Sequence, residues 1–207
     1  SVCVAMDEQT EFIIVVNGGA LHVIDKVRNL VNKIPRVKMI VAETATCQNM
    51  SQALNIGIKS ALGEWIIRMD DDDLMHSERI RRTREAINSV PNHAFLIGGL
   101  IKTFQKSSSN ENIIVSNNTL HNQRNLALSN VDKSILLMTT PFVHPAICFR
   151  KICYPYDTRY QYAQDLKFYI DNIDQGSFWI DNRCYLYYQI SKCNSYKRRY
   201  QLAFHDR

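Results

Sequence analysis

The apolar run Trp65-Ile66-Ile67 passes directly into Arg68-Met69-Asp70-Asp71-Asp72-Asp73, so a segment suited to burial ends in four carboxylates. Such a strand belongs inside a sheet, with its carboxyl end at an open edge where ligands collect. In extended backbone alternate side chains share a face, which brings Asp70 and Asp72 together and turns Asp71 away. Two convergent hard oxygens suit Mg2+ or Mn2+, which take one or two carboxylates along with the oxygens of a substrate diphosphate. A solvated acidic turn is the plain alternative, and it fits a polar segment better than the end of a core strand. The spacing after Asp70 lacks the central glycine and distal glutamate of a calcium loop.

At 207 residues with 45% apolar composition, the chain is long enough for a full core and reads as one domain over 1–190 with a tail over 191–207. The net charge of +5 is unevenly placed, with Lys192, Lys197, Arg198, Arg199 and Arg207 gathered in that tail among Tyr196, Tyr200 and Phe204. The tail is either a peripheral contact for anionic lipid or a solvated terminus, since its basic and aromatic residues do not part onto two faces. Nucleic acid is not an expected partner: no basic recognition module is visible, and the acidic cluster repels phosphate unless a cation intervenes. Cys3, Cys47, Cys148, Cys153, Cys184 and Cys193 lack the close pairing of a zinc site and read as reduced thiols. With no bilayer-length apolar stretch and no signal-like start, the expected location is cytoplasmic, with any membrane contact peripheral and at the inner face of the cytoplasmic membrane.

Short β-rich runs alternate with helical patterns through the first hundred residues, which predicts α/β architecture: a mainly parallel, Rossmann-like sheet flanked by helices. Strands are expected at Val2 to Ala5, Phe12 to Val16, Val37 to Val41, Trp65 to Met69 and Phe95 to Ile101. Leu21, Ile24, Val27, Leu30, Val31 and Ile34 recur at helical spacing before Pro35. A second helix runs from a Ser51 cap to Gly63, and a third follows Ser77 with Ile80, Thr83, Ile87 and Val90 on one stripe. One connection conflicts with this scheme. A parallel crossover needs about a dozen residues, and Asp7 to Glu11 is too short, so either the two strands form a tight antiparallel pair or a segment is absent; the lack of hairpin turn chemistry favours absence. Polar loops are expected at Lys106 to Asn112 and Ser116 to Asp132. Beyond them come a buried strand over Pro141 to Arg150, a helix over Tyr162 to Ile173 and two closing strands over Phe178 to Ile190.

In this order the motifs resemble the family 2 glycosyltransferases, inverting enzymes with an A-type nucleotide-sugar-binding fold. The resemblance rests on Val15-Val16-Asn17-Gly18-Gly19, on Ser51 to Ile58, on Ala61 to Ile66, and on the Arg68 to Asp73 block with Arg79 after it. Pro141-Phe142-Val143-His144-Pro145 with Phe149-Arg150, and Ala163-Gln164-Asp165, continue it. Asn17 stands in place of a commoner aspartate, Cys47 and Asn49 where an Asn and a Gly are frequent, and Gln164 in place of a glutamate. Family members usually carry a helix between the first two strands, and its lack at Asp7 to Glu11 implies an absent segment bordering the nucleotide pocket.

The resemblance implies a nucleotide-sugar-binding half over 1–101 and an acceptor-binding half over 102–190. It implies Mn2+ or Mg2+ at Asp72, with Asp70 sharing the metal, and nucleotide contacts from Asn17, Asn55, Arg68 and Asp70. Asp165 is the implied general base, accepting the proton of an acceptor hydroxyl as it attacks the anomeric carbon opposite the diphosphate. From its helix alone, Asp165 reads equally as compensation for the helix N-terminus. His144 and Gln164 are implied acceptor contacts, although a histidine between Val143 and Pro145 also reads as a satisfied cleft residue. The expected activity is transfer from a nucleotide-sugar donor, UDP-linked, to a saccharide or glycolipid in bacterial surface polysaccharide or lipooligosaccharide assembly. Two alternatives remain open: a sugar nucleotidylyltransferase, although no glycine-rich basic triphosphate loop is visible, and a catalytically silent saccharide-binding subunit.

Overall fold

The computed structural model describes residues 1–42, 49–106, 113–116 and 128–190. The first half runs α1 (Val2–Ala5), β1 (Phe12–Val16), α2 (Leu21–Val31), β2 (Val37–Val41), α3 (Met50–Ser60), β3 (Trp65–Ile67), β4 (Leu74–Met75), α4 (Arg79–Ser89) and β5 (Ala94–Lys106). The second half is richer in strand: β6 (Ile113–Ser116), β7 (Leu128–Asn130), 3-10 turns at Lys133–Leu137 and His144–Ala146, β8 (Ile147–Arg150), α5 (Gln164–Asp171) and β9 (Ser177–Gln189).

Strands β1 and β2 pair in parallel by themselves, and the larger sheet has the order β3-β8-β5-β9-β4, with β6 beside β5 and β7 beside β9. The expected class, a sheet with flanking helices, is what the chain adopts. The larger sheet is mixed, however, rather than mainly parallel. β8 enters between β3 and β5 from the turn at His144–Ala146 and runs antiparallel to both, while β5 and β9 are parallel.

Several expected elements take a different form. Val2–Ala5 is a short helix closed by Met6 N donating to Val2 O, not a strand. No parallel crossover is then required of Asp7 to Glu11, and the reason for inferring an absent segment falls away. Asp7 instead closes a turn by accepting from Gln9 N and Thr10 Oγ1, and it pairs with Arg84 of α4 at 2.7 Å. The cap of α3 is Asn49, whose Oδ1 accepts from Ser51 N at 2.8 Å, so Ser51 lies inside the helix and is buried. The helix expected after Ser77 is α4, which starts at Arg79 with Glu78 at its cap position.

Only Ile147–Arg150 of the expected Pro141 strand is extended, because Pro145 sits within a 3-10 turn. The two closing strands are one, β9, whose register against β5 shifts around Gly99 and Leu100. Such shifts bend a strand without ending it, so one element serves where a turn seemed necessary. The loop at 107–112, residues 117–127 of the second polar stretch, Cys47 and the tail at 191–207 lie outside the described residues.

The core is aromatic and lies under the second half. Phe95 approaches Phe149, Phe168 and Phe178 at centroid distances of 6.4, 6.3 and 5.6 Å, and Tyr156 stacks on Phe168 at 4.2 Å. Rings of this size contribute most of the burial in a small domain, and tilted or offset contacts add to it. Gly176 introduces β9 at φ +157°, with Ser177 N donating to His93 O at 3.0 Å. A Cβ at Gly176 would lie 2.1 Å from that same carbonyl oxygen. Gly176→Ala is therefore expected to destabilise the fold by about 1–3 kcal/mol through backbone overpacking, measured as a lower urea midpoint at unchanged slope.

Candidate active site

Strand β3 ends at Ile67, and Arg68 N donates to Ile147 O at 3.1 Å, which holds the start of the acidic block against β8. The chain then turns at Asp71 and Asp72 and re-enters the sheet as β4, paired with β9 at Leu74 and Met75. The convergence of the aspartates thus arises from a turn and not from strand alternation. It also gathers a residue that alternation does not select. One carboxylate oxygen from each of Asp70, Asp72 and Asp73 lies within 4.8 Å of the others.

Asp73 is 4% exposed; its Oδ1 accepts from Gln189 N at 2.9 Å, and its Oδ2 is buried without a partner. Burial pushes its carboxyl up to about 7, against the pull of the Gln189 amide, and Asp70 and Asp72 push it further the same way. Asp72 is raised as well, through partial burial and then through Asp70. The Asp73 position carries the third acidic group that sequence reasoning missed, although the unbroken Asp70 to Asp73 run contained it. Gln189 joins it through its backbone amide at the end of β9, a contact that no side-chain motif signals.

Arg68 is 8% exposed, and its Nη2 pairs with Asp70 Oδ1 at 2.6 Å. Its Nε and Nη1 are buried without a partner. Arg79, fully buried, donates from Nη2 to Arg68 O at 2.6 Å and to Pro145 O at 2.9 Å. The three-carboxylate arrangement with an unpartnered oxygen fits a hard divalent cation, whose charge would relieve the repulsion that raises Asp72 and Asp73.

Asp165 is the second residue of α5, half-buried, and its Oδ1 accepts from Leu166 N at 2.8 Å. Ala163, just before Gln164 and Asp165, is in the left-handed region at φ 52°. That conformation costs a non-glycine residue about 1–2 kcal/mol, so the sharp entry into α5 is held by its surroundings. Tyr169 of α5 lies 6.0 Å ring to ring from His144, and Pro145, next to His144, shares the Arg79 guanidinium with Arg68 at the start of the acidic block. The acidic turn and the head of α5 therefore face one region of the molecule.

Two expected contacts read differently in the structure. Asn55 Nδ2 donates to Tyr156 O and its Oδ1 accepts from Tyr156 N, both at 2.8 Å, so its amide clamps α3 to the 156 segment and is not turned to a nucleotide. His144 Nε2 lies 3.0 Å from Tyr156 Oη, and its Nδ1 is buried, which leaves neither ring nitrogen to meet an acceptor. Gln164 opens α5, half-buried beside Asp165. Asn17 ends β1 in the smaller sheet, ahead of Gly18 and Gly19 at φ 80° and 114°.

The raised Asp73 carboxyl has a thermodynamic consequence. A carboxyl that binds its proton more tightly when folded loses stability as pH rises from about 4 to about 7. In metal-free protein, Asp73→Asn is expected to flatten the fall in melting temperature across that window, and Mn2+ is expected to offset it in the parent protein. Parallel melting curves for the parent and variant from pH 4 to 7.5 would contradict the assignment.

Comparison with known proteins adds family and fold. The family model for glycosyl transferase family 2 matches residues 1–144. A structure of S. aureus TarS 1–349 in complex with UDP aligns at TM-score 0.66 and 16% identity, over 92% of this chain and 54% of that one. The same TarS fragment with UDP-GlcNAc aligns at 0.66 and 15%, over 92% and 53%. A longer TarS structure aligns at 0.65 and 16%, over 98% and 35%. The chain thus spans about half the length of the TarS fragments it resembles. No curated protein matches the sequence.

Proposed function

Because the chain belongs to glycosyl transferase family 2, we propose that it is a metal-dependent inverting glycosyltransferase. It would move a sugar from a UDP-linked donor to a saccharide or glycolipid acceptor. The observation that carries this reading is the Asp70, Asp72 and Asp73 cluster at the end of β3, with Arg68 paired to Asp70 beside it. UDP and UDP-GlcNAc in the TarS structures support the choice of donor.

Asp72 and Asp70 would hold Mn2+ or Mg2+, with Asp73 as the buried third oxygen donor. When bound, such a cation offsets the charge that develops on a leaving diphosphate. Arg68 adds a fixed positive charge next to Asp70, and Asp70 shares its carboxylate between that arginine and the nucleotide side of the site. Asn17, at the carboxyl end of β1, is assigned to the nucleotide as well. Asp165 acts as general base: with Oδ1 held by Leu166 N, its Oδ2 takes the proton of the acceptor hydroxyl while that oxygen attacks the anomeric carbon. Gln164, next to it, orients the acceptor.

The setting we assign is bacterial surface polysaccharide or lipooligosaccharide assembly at the cytoplasmic face of the membrane. Among the described residues no helix is long and apolar enough to cross a membrane. The basic, aromatic tail at 191–207 would supply a peripheral contact, and its deletion is expected to abolish binding to vesicles containing anionic lipid.

Calorimetry with UDP and a panel of UDP-sugars tests the main reading. Mn2+-dependent binding that is weakened by chelator and by Asp72→Ala is expected. Asp165→Asn is expected to leave that binding intact while lowering transfer by roughly 10²–10⁴-fold, the usual scale for a general base. Transfer unaffected by Asp165→Asn would remove Asp165 from the chemistry, and failure of the parent protein to bind any UDP compound would overturn the donor class.

A further inference from the structure

Behind the acidic turn lies a group of polar atoms that the proposed reaction leaves unexplained. Arg68 Nε and Nη1, His144 Nδ1 and Tyr169 Oη are all buried without a hydrogen-bond partner. Each unsatisfied buried donor costs about 1–3 kcal/mol, so several together in one dry region demand a compensating arrangement. They are close neighbours. The His144 ring stands 5.6 Å from that of Tyr156 and 6.0 Å from that of Tyr169, and Tyr156 Oη meets His144 Nε2 at 3.0 Å. Arg79 Nη2 bonds the carbonyls of both Arg68 and Pro145, which sets Arg68 beside the residue that follows His144.

We propose that His144, held by Tyr156, is a positioning residue at the centre of an enclosed polar chamber, shared with Arg68 and Tyr169 and bridged by internal water, that fixes Arg68 for the donor diphosphate. The inference rests on the glycosyltransferase reading for what Arg68 meets. The chamber itself rests on the contacts among His144, Tyr156 and Tyr169 and on the Arg79 link that sets Arg68 beside Pro145. A bridging water needs two to four polar partners, and Arg68 Nε and Nη1, His144 Nδ1 and Tyr169 Oη supply that number. Arg68 spends one nitrogen on Asp70, so its remaining donors orient the guanidinium only if something inside the protein accepts from them. Tyr156 belongs to α3 through the Asn55 clamp, Tyr169 to α5, and His144 to the turn before β8. One cluster therefore braces the donor side against the element that carries Asp165. Burial, and after it the Arg68 charge, hold the His144 imidazole well below its usual range, which keeps the ring neutral next to that guanidinium.

Two measurements on the full chain test this. In the first, calorimetry follows UDP binding with Mn2+ in the parent protein, Tyr156→Phe, His144→Gln and the double variant. Each single change is expected to weaken UDP by roughly fivefold, the worth of one net hydrogen bond, and the double variant by no more than either alone. In the second, proton–nitrogen NMR is expected to show one slowly exchanging imidazole N–H, lost in His144→Gln and shifted in Tyr156→Phe. UDP affinity unchanged by Tyr156→Phe, even with a lowered melting temperature, would reduce the pair to a structural contact and overturn the positioning role. Absence of a protected imidazole N–H in the parent would overturn the chamber. If the parent binds no UDP, the donor reading fails by itself, and the NMR result still decides the chamber.

Discussion

The buried Arg79 guanidinium is the interaction on which the site's geometry depends. It leaves α4 and donates to the carbonyls of Arg68 and Pro145, joining the end of β3 to the turn that introduces β8. Both carbonyls fall where regular pairing stops, so neither has a neighbouring strand to answer it. Without that guanidinium two acceptors would be buried unsatisfied, and the acidic turn would lose its distance from His144. The arginine after the acidic block is thus explained by backbone carbonyls and not by a substrate charge. Its long stem lets one helix residue reach two main-chain segments.

Electrostatics then determine what the turn can do. Three carboxylates with oxygens in mutual proximity repel one another, and Arg68 pairs directly with Asp70 while offsetting Asp72 and Asp73 only as the smallest of the influences on them. The remaining repulsion appears as the raised Asp72 and Asp73 carboxyls, with burial the larger cause for both. A protein selected for stability alone would relieve such crowding with apolar or neutral residues. Retaining it makes sense where a divalent cation and a diphosphate complete the charge balance. On the proposed function, binding of the cation would stabilise the folded chain by mass action.

Much of this was legible in the sequence. Phe12 to Val16 and Val37 to Val41 are β-branched runs that fold as read, and the apolar spacing of α2 marks that helix correctly. The acidic block was located by its contrast with Trp65-Ile66-Ile67. What failed were features set by tertiary partners. Val2–Ala5 has strand composition but packs beside α4 and β4 as a helical turn, with Ser1 Oγ accepting from Met75 N. Asn55 was assigned by motif to a ligand, yet its amide is matched to the backbone of Tyr156, about a hundred residues away. Tyr156 and Tyr169 carry no local pattern that separates a polar chamber from an ordinary aromatic core.

The parallel pairing of β5 with β9 explains how distant parts of the chain arrive at one place. The register shifts around Gly99 and Leu100 let β9 continue past its bulge, so that Leu186 and Tyr187 pair with β4 and Gln189 N reaches Asp73. A register slipped by one residue would turn that amide away, because successive positions on a strand alternate in direction. Asp73 would then lose the one donor that lowers its carboxyl, and the third oxygen of the cluster would be both buried and unanchored. The bulge in β9 is therefore part of the site, in that it sets the phase of the strand that fixes Asp73. It ties the second half of the chain to the acidic turn through backbone geometry alone, without any side chain that a motif could reveal.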